Sequence, residues 1–227
     1  MDCVVVSLGG SILVPGERDV EHFSGLAALM RSLAKEYHLV LVCGGGKVAR
    51  YYISVGRDLG ASRDKLDEMG IEATRLNARL LQIALGQDAA EPLPRTVDEA
   101  VREARKGKIL VMGGTSPGHT TDAVAAMVAL RLGAKRIVNA TSVDAAYSTD
   151  PKKHKDAERY SHLTHKQLYQ LVDKGLHSAG PSDVFDRAGA EVAMRANIPI
   201  FIVNGRNLDE LGAAVRGEKI MGTVVAD

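Results

Sequence analysis

Tryptophan is absent from these 227 residues, and only 3 Phe and 6 Tyr are present. Stacked aromatics therefore cannot dominate the core, which falls to Val, Ile, Leu, Ala and Met. Cysteine is nearly as scarce. Cys3 and Cys43 each sit inside an apolar run, so they are expected as buried free thiols rather than a disulfide or a metal site. A charge excess is missing too: 29 basic against 28 acidic residues give a net charge of +1. That balance argues against a polymeric nucleic-acid partner, which a basic surface would attract. The uncharged apolar runs are only strand-length, too short to cross a bilayer, so no membrane association is expected. Met1-Asp2 leads straight into a strand pattern without the basic start and small-residue cleavage site of a signal peptide. A cytoplasmic location is the expectation. Asn139-Ala140-Thr141 fits a glycosylation pattern but ends an expected buried strand, and is discounted.

What remains is ordinary for a globular protein, with 45% hydrophobic and 25% charged residues. The length suffices for one large domain or two closely packed lobes. Cys3–Leu8 is a short β-branched run that stops at Gly9-Gly10-Ser11, the mark of a buried strand entering a tight loop. From Asp19 to Tyr37, Val20, Phe23, Leu26, Leu29, Met30 and Leu33 recur at spacings of three and four, which predicts a helix with one buried face. Leu39–Cys43 then runs into Gly44-Gly45-Gly46, and helical sequence resumes at Lys47. Asp64–Leu85 reads as a long helix closed by Gly86, and a short helix begins near Asp98. Ile109–Met112 is a strand ending at Gly113-Gly114, followed by a polar loop to Asp122 and an Ala-rich helix over 123–132. Later elements are a strand Arg136–Ala140, a polar segment Thr141–Tyr160 and a helix capped by Thr164 that ends near Gly175. Then come a helix Val184–Asn197, a strand Pro199–Val203, a helix Leu208–Val215 and a last strand Thr223–Val225. Alternation of strand and helix along the chain predicts an α/β fold: a three-layer αβα sandwich around a mostly parallel central sheet.

Ligands of such sheets sit at the carboxyl ends of the strands, among exposed N–H groups and helix N-termini. Three glycine-rich loops fall there: Gly9-Gly10-Ser11, Gly44-Gly45-Gly46 and Gly113-Gly114-Thr115. Glycine lets backbone approach an anion and take positive φ, so three such loops suggest two phosphorylated ligands meeting. Tight strand-to-helix turns that merely favour glycine are the structural alternative. Neither standard nucleotide motif fits, since Gly44 to Lys47 lacks the G-x-x-x-x-G-K-[ST] spacing and no G-x-G-x-x-G follows the first strand.

Four segments occur in a telling order: Leu8-Gly9-Gly10-Ser11, Val42-Cys43-Gly44-Gly45-Gly46-Lys47, Val111 to Asp122 and Val143 to Pro151. Together they resemble the amino-acid-kinase superfamily over essentially the whole chain. The Gly-Gly-Thr-x-Pro-Gly-His-Thr-Thr-Asp loop is similar to that of the archaeal type of UMP kinase, whereas Asp-x-x-Tyr-x-x-Asp-Pro is shared more widely. The resemblance implies transfer of a phosphoryl group from Mg-ATP to UMP, with Mg2+ held mainly through the phosphates and no dedicated protein metal site. It implies one amino-acid-kinase domain over 1–227, with UMP on about 1–134 and ATP on about 135–227. A homo-oligomer, commonly a hexamer of dimers, is a further family expectation.

The resemblance also assigns residues. Gly9, Gly10 and Ser11 would surround the transferring group with N–H donors. Gly44 and Gly45 would line the seam, Gly44 toward UMP and Gly45 toward ATP. Asp67 resembles the acidic contact to the UMP ribose. Gly114, Thr115, Ser116, Pro117, Gly118, His119 and Thr120 would hold the UMP phosphate and uracil. His119 is read as a positioning residue, because a phosphate acceptor is already anionic and needs no general base. Thr141, Ser142, Tyr147 and Asp150 would form the adenosine pocket, and Asp186 would orient cationic groups or simply cap a helix.

Two departures stand out. Many superfamily kinases carry Lys two residues before the first Gly-Gly, where this chain has Ser7; Lys47 and Arg50 are the candidate replacements, Arg50 on the ATP side. The family's usual Gly in Val-Asp-Gly-Val-Tyr is Ala145. Other readings are a related kinase acting on isopentenyl phosphate, carbamate or acetylglutamate, which the Gly114–Asp122 loop disfavours, and a non-catalytic nucleotide-binding or storage protein. A dehydrogenase is disfavoured further.

Overall fold

The computed structural model describes residues 1–227 apart from 17–18, 105, 150, 152 and 175–183. Its frame is a seven-stranded sheet. The first three strands are β1 (Asp2–Leu8), β2 (Tyr37–Cys43) and β3 (Leu110–Met112). They are joined by β4 (Arg136–Thr141), β7 (His162–Leu163), β8 (Ile200–Asn204) and β9 (Thr223–Val225), in the order β3-β2-β1-β4-β8-β9-β7. Pairing is parallel throughout except between β8 and β9. Two two-residue strands, β5 (Ala146–Tyr147) and β6 (Arg159–Tyr160), form a separate antiparallel ribbon. The nine α-helices of the described residues are α1 (Gly10–Leu13), α2 (Asp19–Leu33), α3 (Gly46–Asp58), α4 (Arg63–Leu85), α5 (Val97–Ala104), α6 (Thr121–Leu132), α7 (His165–Lys174), α8 (Arg187–Ala196) and α9 (Leu208–Arg216). None is long and apolar enough to cross a membrane.

Period-two alternation in the strands divides the interior into two layers. Val5, Val40, Val42, Ile137, Ile200 and Ile202 face a core shared with Val124, Leu168 and Ala190 of α6, α7 and α8. Val4, Val6, Leu39, Leu41, Val138 and Phe201 face the opposite core, with Leu26, Leu81 and Leu211 of α2, α4 and α9. The expected αβα sandwich is therefore present, with hydrophobic runs buried on both faces as a parallel sheet requires. Cys43 is fully buried and Cys3 partly so, both as free thiols. Burial pushes the Cys3 thiol up to about 11 and that of Cys43 higher still.

Element boundaries depart from the periodic pattern where strand pairing overrides it. Helix α2 stops at Leu33 rather than Tyr37, because Tyr37 already pairs with Asp2 in the parallel β1–β2 ladder. Val20, counted in its apolar face, is 80% exposed. The helix expected over Val184–Asn197 starts at Arg187, with Asp186 as its N-cap, and ends at Ala196, closed by Asn197 with φ of 49°. The expected end near Gly175 lies outside the described residues, and helix α7 is described to Lys174. The polar segment Thr141–Tyr160 contains the β5–β6 ribbon, too short to leave a periodic trace.

Candidate active site

Chain order runs outward from β1 to β2 and β3 on one side, and to β4 on the other. The topological switch point therefore lies between β1 and β4, where a parallel sheet opens a crevice at its carboxyl edge. The Gly9-Gly10-Ser11 loop leaves β1 at that point. Gly9 N–H donates to Ala140 O at 2.9 Å, and Gly44 N–H donates to Leu8 O at 2.8 Å, so both loops continue the sheet ladder to the mouth of the crevice.

The two loops are pressed backbone to backbone. A Cβ on Gly10 would lie 2.5 Å from Gly45 C and 2.6 Å from Gly44 O, and closer still to Gly46 N. Gly46 has φ of +59°, and a Cβ there would meet Ser11 N at 2.7 Å and Gly10 even more closely. Glycine is thus needed here for loop-against-loop packing as well as for access by an anion. The N-termini of α1 and α3 meet at this contact, and first-turn N–H groups have no partner within their own helix. A cavity of about 280 Å³ opens beside them, bounded by Ser7, the two glycine loops, Arg50, Thr120 to Asp122 and Thr141. A larger cleft of about 960 Å³ lies at the amino ends of the strands, near Met1, Lys35 and His38, and touches none of the glycine loops.

The residues expected on the acceptor side gather around the loop after β3. Asp67, in the first turns of α4, accepts a hydrogen bond from Gly118 N–H at 3.1 Å. Ser116 Oγ lies 3.0 Å from His119 Nδ1, and His119 N–H donates to Ser116 O at 3.3 Å, which closes the turn around Pro117 and Gly118. Thr120 caps α6, its Oγ1 accepting from Ala123 N–H at 3.1 Å and donating to Asp186. The other Asp186 oxygen accepts from Ala188 and Gly189 N–H at 2.8 and 3.1 Å, so Asp186 acts here as the cap of α8. Thr141 ends β4, Ser142 follows it and both line the same cavity, and Tyr147 lies half-buried on β5. Asp150 lies outside the described residues. Ala145 is fully buried.

The two candidate cations diverge. Arg50 Nη2 donates to Ser11 Oγ at 3.1 Å, at the rim of the cavity, whereas Lys47 Nζ donates to Pro15 O at 3.1 Å. Ser7, where a lysine is common, is 1% exposed and donates its hydroxyl to Asp122 Oδ1 at 2.7 Å. Burial is the main cause that raises the Asp122 carboxyl to about 7; Asp186 adds repulsion, and hydrogen bonds from Ser7 and the Asp186 backbone pull the other way. A carboxyl that titrates near neutrality in a phosphate-sized crevice is a mark of functional sites.

Sequence reasoning passed over three α4 residues. Thr74 Oγ1 accepts from Gly114 N–H at 2.6 Å, Arg75 donates to Gly114 O and Thr115 O at 3.2 Å each, and Asn77 Nδ2 donates to Gly44 O at 2.8 Å and Gly45 O at 3.2 Å. Their trace was present: Thr74 and Asn77 are polar residues among Ile71, Ala78, Leu81 and Leu85, on the buried side of α4.

The crevice lies where a doubly wound sheet binds its ligands, and comparison with known proteins gives the family of the chain. Residues 2–204 match the Amino acid kinase family, and the chain belongs to that family. It is 39% identical to the uridylate kinase of Methanobrevibacter smithii over 98% of this chain and 99% of that one. It is 41% identical to the uridylate kinase of Archaeoglobus fulgidus, with the same coverage. The crystal structure of the Archaeoglobus fulgidus uridylate kinase superposes with a TM-score of 0.89 at 40% identity, covering all of both chains. The UMP kinase structure from Bacillus anthracis, at 21% identity and a TM-score of 0.78, shares the fold.

Proposed function

We propose that this chain is a uridylate kinase, transferring the γ-phosphoryl group of Mg-ATP directly and in line to UMP to give UDP and ADP. The observation that carries the reading is the contact of the Gly9–Ser11 and Gly44–Gly46 loops at the switch point, with two helix N-termini converging on it. Such a contact supplies fixed N–H donors where a transferring phosphoryl group spreads its charge. Gly9, Gly10, Ser11, Gly45, Arg50, Thr141, Ser142 and Tyr147 are assigned to ATP. Gly44, Asp67 and the loop from Gly114 to Thr120 are assigned to UMP. The acceptor is an anionic phosphate, so no general base is assigned. Mg2+ enters with ATP and is held through its phosphates. In this reading the N-terminal portion, to about residue 134, takes the acceptor, the remainder takes the donor, and the enzyme supplies pyrimidine nucleotides in the cytoplasm.

Self-association is part of the proposal. Tyr51, Val55 and Leu59 on one side of the α3–α4 hairpin are 67%, 40% and 82% exposed; Leu76, Leu80 and Ile83 on α4 are 58%, 42% and 69% exposed. A monomer rarely leaves so many large apolar side chains in water, and a second copy of the chain is the occupant we assign. The catalytic assignment is tested by incubating the protein with Mg-ATP and, separately, UMP, CMP, isopentenyl phosphate and acetylglutamate, then measuring ADP and the phosphorylated product. UMP should be turned over best. ATP binding without UMP turnover would overturn the proposal.

A further inference from the structure

Among the described residues, Thr74, Arg75 and Asn77 of helix α4 tie the middle glycine loop and the loop after β3 to one helix, each through hydrogen bonds to loop backbone. Asn77, 1% exposed, holds the carbonyls of Gly44 and Gly45. Arg75, with its side chain 15% exposed, holds those of Gly114 and Thr115; its Nη1 is anchored on Glu72 at 2.6 Å and its Nη2 also reaches Arg95 O at 3.4 Å. Thr74 fixes Gly114 from the other side, and a Cβ on Gly113 would lie 2.7 Å from Thr74 Oγ1 and 2.8 Å from Arg75 N. The helix and loop are therefore in backbone contact.

In a planar trans peptide the C=O and the following N–H point in opposite directions. Four carbonyls turned toward α4 therefore turn the N–H groups of Gly45, Gly46, Thr115 and Ser116 away from it. Among the described residues these four N–H groups have no acceptor, while their neighbours Gly44 and Gly114 are paired. We infer that α4 is the positioning element of the phosphate site: Asn77 and Arg75, neither aimed at a ligand itself, turn four peptide N–H donors away from the helix, those of Gly45 and Gly46 on the loop that lines the cavity and those of Thr115 and Ser116 on the loop after β3. The inference rests on the kinase reading for the identity of the acceptor. It adds that the cation at position 75 acts through backbone geometry rather than as a charge on the phosphate.

The test measures binding of UMP, uridine and pyrophosphate to the full-length protein by calorimetry, with wild type, Arg75→Met, Arg75→Lys and Asn77→Leu. Arg75→Met should weaken UMP at least tenfold and uridine less than threefold, because only the phosphate loses its donors. Arg75→Lys keeps the charge but not the fork that holds two carbonyls, so it should bind UMP nearly as weakly as Arg75→Met. Full recovery of UMP affinity in Arg75→Lys would overturn the inference in favour of simple charge. Equal weakening of UMP and uridine would overturn it in favour of a general structural role. Asn77→Leu should weaken pyrophosphate tenfold while thermal unfolding remains cooperative; if it fails to fold, Arg75→Met measured with pyrophosphate carries the same test. A wild type that binds pyrophosphate but does not phosphorylate UMP would remove the substrate assignment alone, and tenfold weaker pyrophosphate in Arg75→Met would still support the positioning role. No loss of pyrophosphate affinity in Arg75→Met would overturn it.

Discussion

Gly10→Ala perturbs the contact between the two glycine loops directly. The added methyl would sit 2.5 Å from Gly45 C and 2.6 Å from Gly44 O, with Gly46 N nearer still. These are backbone atoms tied to β1 and α4 by Gly44 N–H to Leu8 O and Asn77 to Gly44 O. An ordinary contact begins at 3.4 Å, so the two loops must part by on the order of 1 Å. Overpacking of this kind costs typically about 1–3 kcal/mol. A displacement of that size at a reacting centre can cost about a hundredfold in rate. Gly25→Ala is the control: its methyl meets only Leu208 Cδ1 at 3.1 Å, a side-chain end that can give. A helix interior gains up to about 1 kcal/mol from Ala over Gly, so its thermal midpoint should hold or rise. Steady-state kinetics with Mg-ATP and UMP, paired with thermal unfolding, read both effects. Gly10→Ala with kcat within threefold of wild type and an unchanged unfolding midpoint would refute the loop-packing argument.

Further expectations follow from the same geometry. Asp67→Ala should raise KM for UMP well above its effect on KM for ATP, and it also frees Gly118 N–H; equal changes in both constants would remove the ribose assignment. Asp122 is ordinarily protonated less readily than its folded value of about 7 implies, so the folded state binds the extra proton and loses stability as pH rises from about 4 to 7. The unfolding free energy of wild type minus that of Asp122→Asn should therefore fall across pH 5–7, by at most about 1.4 kcal/mol per unit, and level off above; a flat difference would count against the raised carboxyl. Leu59→Glu with Leu80→Glu should shift the molar mass seen by light scattering toward the monomer, and an unchanged mass would move the interface elsewhere.

The αβα order was legible because buried parallel strands and amphipathic helices carry different periods. Val4, Val5 and Val6 form a continuous run, while Phe23, Leu26, Met30 and Leu33 follow a helical stripe. Boundaries were less legible. Nothing near Tyr37 says that its partner is Asp2, yet that pairing ends α2 early. The glycine loops announced themselves, but the reason for glycine was only half visible. Gly10 and Gly46 lie 36 positions apart, and their mutual contact exists only after β1 and β2 pair. The contacts of Thr74 and Arg75 with Gly114 span 40 and 39 positions, and Ser7 and Asp122 lie 115 apart. Local spacing carries no information about such pairs. What it did carry was the anomaly of polar side chains at 74 and 77 on a buried face.

The serine at position 7 reorganises the charge of the cleft more than a missing lysine alone would suggest. Its hydroxyl is committed to Asp122 Oδ1 at 2.7 Å, and it lowers the Asp122 carboxyl less than burial raises it. A lysine there would set an ammonium beside that carboxyl and hold it ionised. With serine, the inner wall presents a carboxyl that is protonated in part at neutral pH, and in the proposed reading the cationic contribution passes outward to Arg50, which donates to Ser11 Oγ. Ser7→Lys tests this division. The cavity of about 280 Å³ bordering Ser7 gives the longer stem somewhere to lie, and the new pair should bring the Asp122 carboxyl well below 7. The stability loss across pH 5–7 should then vanish, as in Asp122→Asn, but for the opposite reason: the group stays charged throughout. A further substitution, Asp122→Asn in the Ser7→Lys background, separates the two, because it removes the partner of a buried ammonium. That double variant should be less stable than either single one. Additive effects of the two substitutions would show that position 7 does not govern Asp122.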